Sequence, residues 1–255
     1  MKISVITVCY NAQATIAYTL DSFLAQNHAD KELLVIDGAS TDGTPDIVKS
    51  FKSEQIKMSS EPDKGMYDAL NKGLAVYTGD AVGVLHSDDT YHDKDALSRI
   101  AQALESADIV HGHLNFVDGH DKKRVVRHWR GEERPVNGFK TGWMPAHTTL
   151  HVRRHVAETV GPFDLSLKTA SDYDWMIRAI DVHGFETRMI DHILVDMAEG
   201  GKSTAGIGAH IHHNLEALKA RQRWLGTGVI DFALFAKPAR KISQFFRPGQ
   251  RSQLA

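Results

Sequence analysis

Apolar positions in the first hundred residues switch between two spacings. Short runs rich in Val, Ile and Leu recur at 3–8, 32–37, 55–59 and 81–86. Between them lie stretches at 14–26, 44–51, 66–77 and 94–105 in which apolar side chains return every three or four residues. Ile16, Leu20, Phe23 and Leu24 mark one such face, a stripe that packs a helix onto a sheet. Thr44, Pro45 and Asp46 form a helix start: a capping hydroxyl, a residue preset for the first helical position and a charge that suits the positive dipole end. Strands alternating with helices predict βαβ units and a mostly parallel sheet. From residue 108 the pattern changes. Runs at 109–117 and 124–129 flank Asp118-Gly119-His120-Asp121 and predict a hairpin, so the parallel half is expected to end there. A Gly/Pro-marked segment at 134–145 leads to a short strand and helix ending at Val160, then to a helix over 171–183 and a long helix from Ile207, followed by a basic, aromatic tail.

Composition narrows the partners. Apolar residues make up 42% and charged residues 24%, with a formal net charge of −2, which is ordinary for a globular chain and gives no electrostatic footprint for duplex nucleic acid. The single cysteine, Cys9, lies in an apolar run and has no disulfide partner within the chain, as expected of a small buried residue in a reducing compartment. Met1-Lys2-Ile3-Ser4 runs directly into a strand pattern, and no apolar run reaches the length of a membrane span. The expected location is the cytoplasm.

In an open parallel sheet, ligands sit beyond the carboxyl ends of the strands. Asp37 ends the second run and opens Asp37-Gly38-Ala39-Ser40-Thr41-Asp42-Gly43-Thr44. Small residues let a ligand approach that backbone, although Asx-type turns explain the composition too. Glu61-Pro62-Asp63-Lys64-Gly65 follows the third run, and Asp63 fits either a ligand contact or a helix cap. In the helix behind it, Asp68 and Asn71 share a face beside Lys72, a polar array that suits sugar or ribose hydroxyls as well as water. Val82-Gly83-Val84-Leu85-His86-Ser87-Asp88-Asp89 runs from a buried strand into two adjacent carboxylates. Their mutual repulsion is relieved by a hard cation, Mg²⁺ or Mn²⁺, which bridges carboxylates to substrate phosphates. Asp172 and Asp174, in Ser171-Asp172-Tyr173-Asp174-Trp175, open a late helix. They fit helix-dipole compensation or, within reach of an acceptor hydroxyl, a general base.

The order of these motifs resembles the family 2 inverting glycosyltransferases of GT-A fold, especially small bacterial enzymes of polysaccharide assembly. The matching pieces are Ser4-Val5-Ile6-Thr7-Val8-Cys9-Tyr10-Asn11, the 35–44 loop, Glu61 to Gly65, Ser87-Asp88-Asp89 and Ser171 to Trp175. The resemblance implies a Rossmann-like α/β sheet with a C-terminal helical extension, divided as 1–107 (nucleotide half), 108–206 (acceptor half) and 207–255. It implies that Thr7, Asn11, Asp37, Asp63, Lys64, Asp68, Asn71 and Asp88 lie on the donor side. Asp88 and Asp89 form the acidic pair for Mg²⁺ or Mn²⁺, with Asp89 as the direct ligand, and Asp172 is the base. Ser171 stands where the family often has Glu. His147, in Met144-Pro145-Ala146-His147-Thr148-Thr149, falls on the acceptor or phosphate side, and Lys202 in Glu199-Gly200-Gly201-Lys202-Ser203 suits a diphosphate counter-charge or a surface turn. The implied donor is a nucleoside-diphosphate sugar, a UDP-sugar before others, and the acceptor a saccharide or lipid-linked hydroxyl in cell-surface glycan assembly.

Two rivals stand beside this reading. A sugar-1-phosphate nucleotidyltransferase needs a Gly-rich, basic loop near the N-terminus, which the stretch after Val8 lacks. A nucleotide-sugar-binding protein without transferase activity would have no need of Asp88, Asp89 and Asp172 together. Fifteen histidines, including the His111/His113 and His210/His212/His213 groups, raise structural zinc, but no four-ligand pattern completes it. In the tail, Lys237, Arg240, Lys241 and Arg247 interleave with Trp224, Phe245 and Phe246, which fits peripheral attachment to an anionic inner membrane face or packing on the domain. The oligomeric state is open.

Overall fold

Strand β1 (Ile3–Cys9) is buried along its whole length, and the sheet grows outward from it. In the computed structural model of the chain, described over residues 1–119, 121, 124–199 and 207–228, β1 pairs in parallel with β2 (Lys31–Asp37) on one side and β4 (Ala81–Val84) on the other. Strand β3 (Ile56–Ser60) extends the parallel set beyond β2. Helices α1 (Ile16–Leu24), α2 (Thr44–Ser50) and α3 (Met66–Val76) make the crossovers.

The period of two in the strands divides the core. Ile3, Val5, Cys9, Leu33 and Val35 face one side, where Ile16, Leu20 and Phe23 of α1 and Val48 of α2 meet them. Ile6, Val8, Leu34 and Ile36 face the other, against Ala69 and Leu70 of α3. A parallel sheet covered on both faces needs such continuous apolar runs.

After the two-residue β5 (Thr90–Tyr91) and α4 (Ala96–Leu104) come β6 (Ile109–Val117) and β7 (Val125–Trp129), paired antiparallel as the hairpin reading predicts. Strand β8 (His151–Arg153) inserts antiparallel between β4 and β6 and leads into α5 (Arg154–Val160). Helix α6 (Ser171–Ile177) continues through a π-helical turn at Arg178–Val182. It is followed by β9 (Thr187–Ala198) and α7 (Ile207–Leu225). The full order is β3-β2-β1-β4-β8-β6-β9-β5, with β7 on β6.

One expectation is corrected here, and one strand went unread. The parallel arrangement does not end near residue 108, because β9 runs parallel to β6. Nor does the hydrophobic pattern announce β9, and the bulge explains why: Gly112 pairs Ile190 while the next residue, His113, pairs Ile193. Asp191 and His192 stand out of register, breaking the alternation by which a strand is read. The basic tail beyond residue 228 and Lys202 lie outside the described residues. No helix among the described residues is long and apolar enough to cross a membrane.

Strand β4 depends on a residue without a side chain. Gly83 sits opposite His151 in the β4–β8 ladder, and a Cβ there would stand 2.2 Å from the His151 ring. His151 is fully buried, so the ring has no open space to enter. Gly83→Ala should therefore destabilise the protein by about 1–3 kcal/mol, the scale of core overpacking, read as a lower denaturant midpoint at unchanged slope. An unchanged midpoint would mean that β8 shifts freely.

Candidate active site

The carboxyl ends of β1, β2 and β4 open at one edge of the sheet, and the loops that leave them are stitched together. Asn11, after β1, donates its amide to Ser40 Oγ at 2.8 Å and accepts from the Thr41 amide at 2.9 Å. The Gln13 amide donates to Asp42 Oδ2 at 3.1 Å, and the Gly43 amide donates to Gln13 Oε1 at 2.7 Å. Asn11 and Ala39 adopt positive φ, 51° and 61°, a conformation Asn tolerates and Ala adopts only under local constraint.

Asp37 lies beneath this floor with no exposed surface. Its carboxylate accepts from the Ser40 amide at 3.0 Å and Ser60 Oγ at 2.6 Å, and also from the Ser40 hydroxyl and the Cys9 thiol. Burial alone would raise its pKa, but these donors outweigh it and hold the carboxyl below the usual range. In this structure Asp37 organises the loop rather than facing the cleft. Gly38 beside it is a close-approach position: a Cβ would meet Asp63 Oδ2 at 2.4 Å and the Tyr10 ring at 3.5 Å. Asp63 thereby reaches across to the Asp37 loop, with its own Oδ1 taking the Gly65 amide at 2.8 Å. The exposed ring of Tyr10 borders the same cleft.

Several residues read as donor contacts have local partners. Thr7 is buried and donates to the Leu85 carbonyl at 2.7 Å, tying β1 to the chain after β4. Asp68 takes the Lys64 amide at 3.0 Å, the local cap that Lys64 and Asp68 form at the start of α3. Asn71 uses both ends of its amide on Phe163, donating at 3.0 Å and accepting at 2.8 Å. Asn71 braces the 161–170 loop through these two bonds.

The acidic pair after β4 is divided. Asp89 is 1% exposed, and its Oδ1 accepts the Ala198 amide of β9 at 3.2 Å, while Thr19 of α1 donates to its carbonyl at 2.8 Å. Asp88 is half-buried at the cleft. Among the described residues, no group of three or more His, Cys, Asp or Glu is arranged to hold a metal ion. Mg²⁺ and Mn²⁺, however, need only one or two carboxylates when substrate phosphates and water complete the shell, so the chemistry of the Asp88–Asp89 pair fits such an ion, with Asp89 Oδ1 tied to the Ala198 amide.

Asp172 and Asp174 are separated as sharply. Asp174 is 1% exposed, paired with Arg178 at 2.9 Å and receiving the Trp224 indole N–H at 2.7 Å. Asp172 keeps 16% of its side chain exposed. Its Oδ1 accepts from the Tyr67 hydroxyl at 3.0 Å, and its Oδ2 lies 3.6 Å from His147 Nδ1. Burial and the Asp172 charge push the Tyr67 phenol far up, so it stays a donor. His147 Nε2 lies 3.1 Å from His86 Nε2. Burial, reinforced by His147, lowers the His86 pKa to about 3. Helix α7 fixes the start of α6: Glu216 accepts from the backbone amides of Lys168, Thr169 and Ala170 at 3.0, 2.8 and 3.1 Å, and Arg221 donates to the Tyr173 hydroxyl at 3.0 Å.

Sequence reasoning missed Tyr10, Tyr67 and His86. His86 carried a signal, since it immediately precedes Ser87-Asp88-Asp89 at a strand end. Tyr67 carried none, because only the packing of α3 against α6 brings it to Asp172.

The sequence model of the family described as Glycosyl transferase family 2 matches residues 4–160. A PGL/p-HBAD biosynthesis glycosyltransferase of Mycobacterium tuberculosis is 30% identical over 211 residues, which is 78% of this chain and 77% of that protein. An uncharacterized glycosyltransferase of Nostoc sp. is 33% identical over 176 residues, covering 64% of this chain and 54% of the relative. The fold matches the crystal structure of S. aureus TarS 1–349 with a TM-score of 0.71 at 20% identity, over 95% of this chain and 72% of that one. It matches the mannosyltransferase PcManGT from Pyrobaculum calidifontis, in complex with GDP-Man and Mn²⁺, with a TM-score of 0.66 at 18% identity, over 96% and 69%.

The lowered pKa of Asp37 links the floor of the cleft to acid stability. A carboxyl whose folded pKa lies below its unfolded value of about 3.9 stabilises the fold above that value. The contribution is lost as pH falls through the folded pKa. Asp37→Asn should be less stable than wild type at pH 7, with the gap closing below about pH 4, as followed by urea midpoints. A gap of constant size from pH 7 to pH 3 would show that the charge of Asp37 is not what the loop needs.

Proposed function

Because the chain belongs to glycosyl transferase family 2, we propose that it moves a sugar from a nucleoside diphosphate, a UDP-sugar before others, to a saccharide or lipid-linked hydroxyl with inversion at the anomeric carbon. Solved structures of the same fold hold UDP-GlcNAc, UDP, or GDP-Man with Mn²⁺, which supports this donor class. The observation that carries the assignment of residues is the contrast within α6: Asp174 is enclosed by Arg178 and Trp224, while Asp172 faces the cleft between Tyr67 and His147.

In this reading Asp172 takes the proton of the acceptor hydroxyl as its oxygen bonds to the anomeric carbon. The bond from that carbon to the diphosphate oxygen breaks, and the nucleoside diphosphate departs with the electron pair. Single displacement from the opposite face inverts the configuration. A base is needed because a sugar hydroxyl is a poor nucleophile until its proton is being removed. On the donor side, Asn11, Tyr10 and Asp63 border the nucleotide, with the Asp37 loop as its floor. Asp88 would hold a divalent cation, which when bound supplies positive charge to the leaving diphosphate.

The donor side is tested by melting. UDP with Mn²⁺ should raise the melting temperature above that with either alone, since a ligand held only by the native state adds stability by mass action. Asp88→Ala should remove the metal-dependent increment while leaving the unliganded protein near wild type. Asp89→Ala should lower the unliganded melting temperature itself. Retention of the full Mn²⁺ increment by Asp88→Ala would move the metal elsewhere.

The acceptor side is tested by kinetics. Asp172→Asn preserves size and polarity but removes basicity, so transfer should fall by roughly 10²-fold or more while calorimetric donor affinity holds. Asp174→Asn should instead reduce stability, through loss of the Arg178 pair. Near-normal transfer by Asp172→Asn would reject it as the base.

A further inference from the structure

Three side chains from three other elements gather around the Asp172 carboxylate, two of them directly and the third through its neighbour. Asp172 opens α6, Tyr67 lies in the first turn of α3, His86 follows β4, and His147 begins the 3₁₀ turn His147–Thr149. The two imidazoles meet through their Nε2 atoms at 3.1 Å, with ring centroids 5.3 Å apart and planes tilted by 55°. The remaining ring nitrogen of His147, Nδ1, is the one that faces Asp172 Oδ2 at 3.6 Å.

Two neutral imidazoles that meet nitrogen to nitrogen must present one N–H and one lone pair. If His147 donates from Nε2, its Nδ1 lone pair points at the carboxylate, acceptor against acceptor. If His86 donates from Nε2, the His147 proton resides on Nδ1 and points at Asp172. An ionised carboxylate only accepts, so it selects the second arrangement. The same step removes His147 from the list of bases, because its Nε2 lone pair is already engaged by His86.

We propose that His86 and His147 are positioning residues for glycosyl transfer: His86 fixes His147 in the Nδ1–H form, and His147 together with Tyr67 holds the Asp172 carboxylate aimed at the acceptor. This rests on Asp172 being the base, as argued above. Tyr67 restrains Oδ1 from one side and His147 guards Oδ2 from the other. At 3.6 Å the His147 contact is longer than a hydrogen bond, and contacts of this type tighten when substrate binds. An apolar cavity of about 60 Å³ adjoins the group, walled by Leu70, Val84, Leu150, Phe163 and Trp175. It is well below the roughly 150 Å³ that holds a benzene ring.

The test has two arms. Long-range ¹⁵N–¹H NMR of the full chain labelled at histidine, at pH 7.5 without substrate, reads the tautomers directly. His147 should carry its proton on Nδ1 and His86 on Nε2; any other pattern at His147 overturns the proposal, whatever the enzyme transfers. The second arm measures transfer to water from UDP-GlcNAc or GDP-mannose, whichever the wild type turns over. His86→Leu should lower kcat roughly ten- to hundredfold, the scale of the hydrogen bond to the charged Asp172 that His147 no longer holds once its tautomer is unfixed, with the donor KM unchanged. His86→Gln places an amide N–H where Nε2–H was, and should recover most of that loss. If both variants lose kcat equally, His86 acts by packing alone and the proposal fails. If wild type turns over neither donor, the donor assignment fails, while the NMR arm still decides the tautomer.

Discussion

The parallel pairing of β1 with β2 and β4 is the constraint on which the site depends. β1 is buried along its length and supplies alternate side chains to both cores, so its register is set: a slip of one residue would exchange the two faces. With that register held, Cys9 lies level with Asp37 and Ile6 with Val84. Every chain leaving a carboxyl end must then emerge at the same edge. The stitched 11–13 and 40–44 loops, the Asp63 turn and the 86–89 turn all follow from it.

Burial divides the acidic residues into two kinds. Asp37, Asp89, Asp174 and Glu216 are at most 6% exposed, and each accepts from a backbone amide, hydroxyl, guanidinium or indole N–H. Such carboxylates hold loops and helix starts in place, since a buried charge is tolerable only when it is hydrogen-bonded. Asp63, Asp88 and Asp172 keep some surface at the cleft. The buried set builds the frame, and the half-exposed set borders the cleft. The alternation is local: Asp88 and Asp89 are neighbours, and Asp172 and Asp174 share one helical turn.

Helix α7 belongs to this frame although it lies outside the sheet. Glu216 satisfies amides at the start of α6, Arg221 reaches Tyr173, and Trp224 reaches Asp174. The amides Glu216 takes belong to the 168–170 segment that leads into α6, the last of them being that of the N-cap residue Ala170, one of the helix-start amides without an intrahelical partner. The orientation of Asp172 therefore depends on a helix that begins 35 residues later, at Ile207.

The chain by itself determined the parallel half. Its apolar runs have the two periods that physics assigns to strands and helices, and the Thr44-Pro45-Asp46 start and the 118–121 turn are local signals read without tertiary context. It also determined which strand ends and which helix start carry polar chemistry, because the motifs at Asp37, Asp63 and Asp88, and at Asp172, are contiguous in sequence. Only the tertiary structure decided which aspartate of each acidic pair faces the cleft, since neighbours along the chain differ in exposure by the direction each side chain takes. It alone revealed β9, whose bulge at Asp191 and His192 erases the period of two. It alone joined Tyr67, His86 and His147 to Asp172, a contact that spans 105 positions between Tyr67 and Asp172. Sequence patterns encode periodicity and local turns; they do not encode which distant helix supplies the hydrogen bond, and that is where the base acquires its partners.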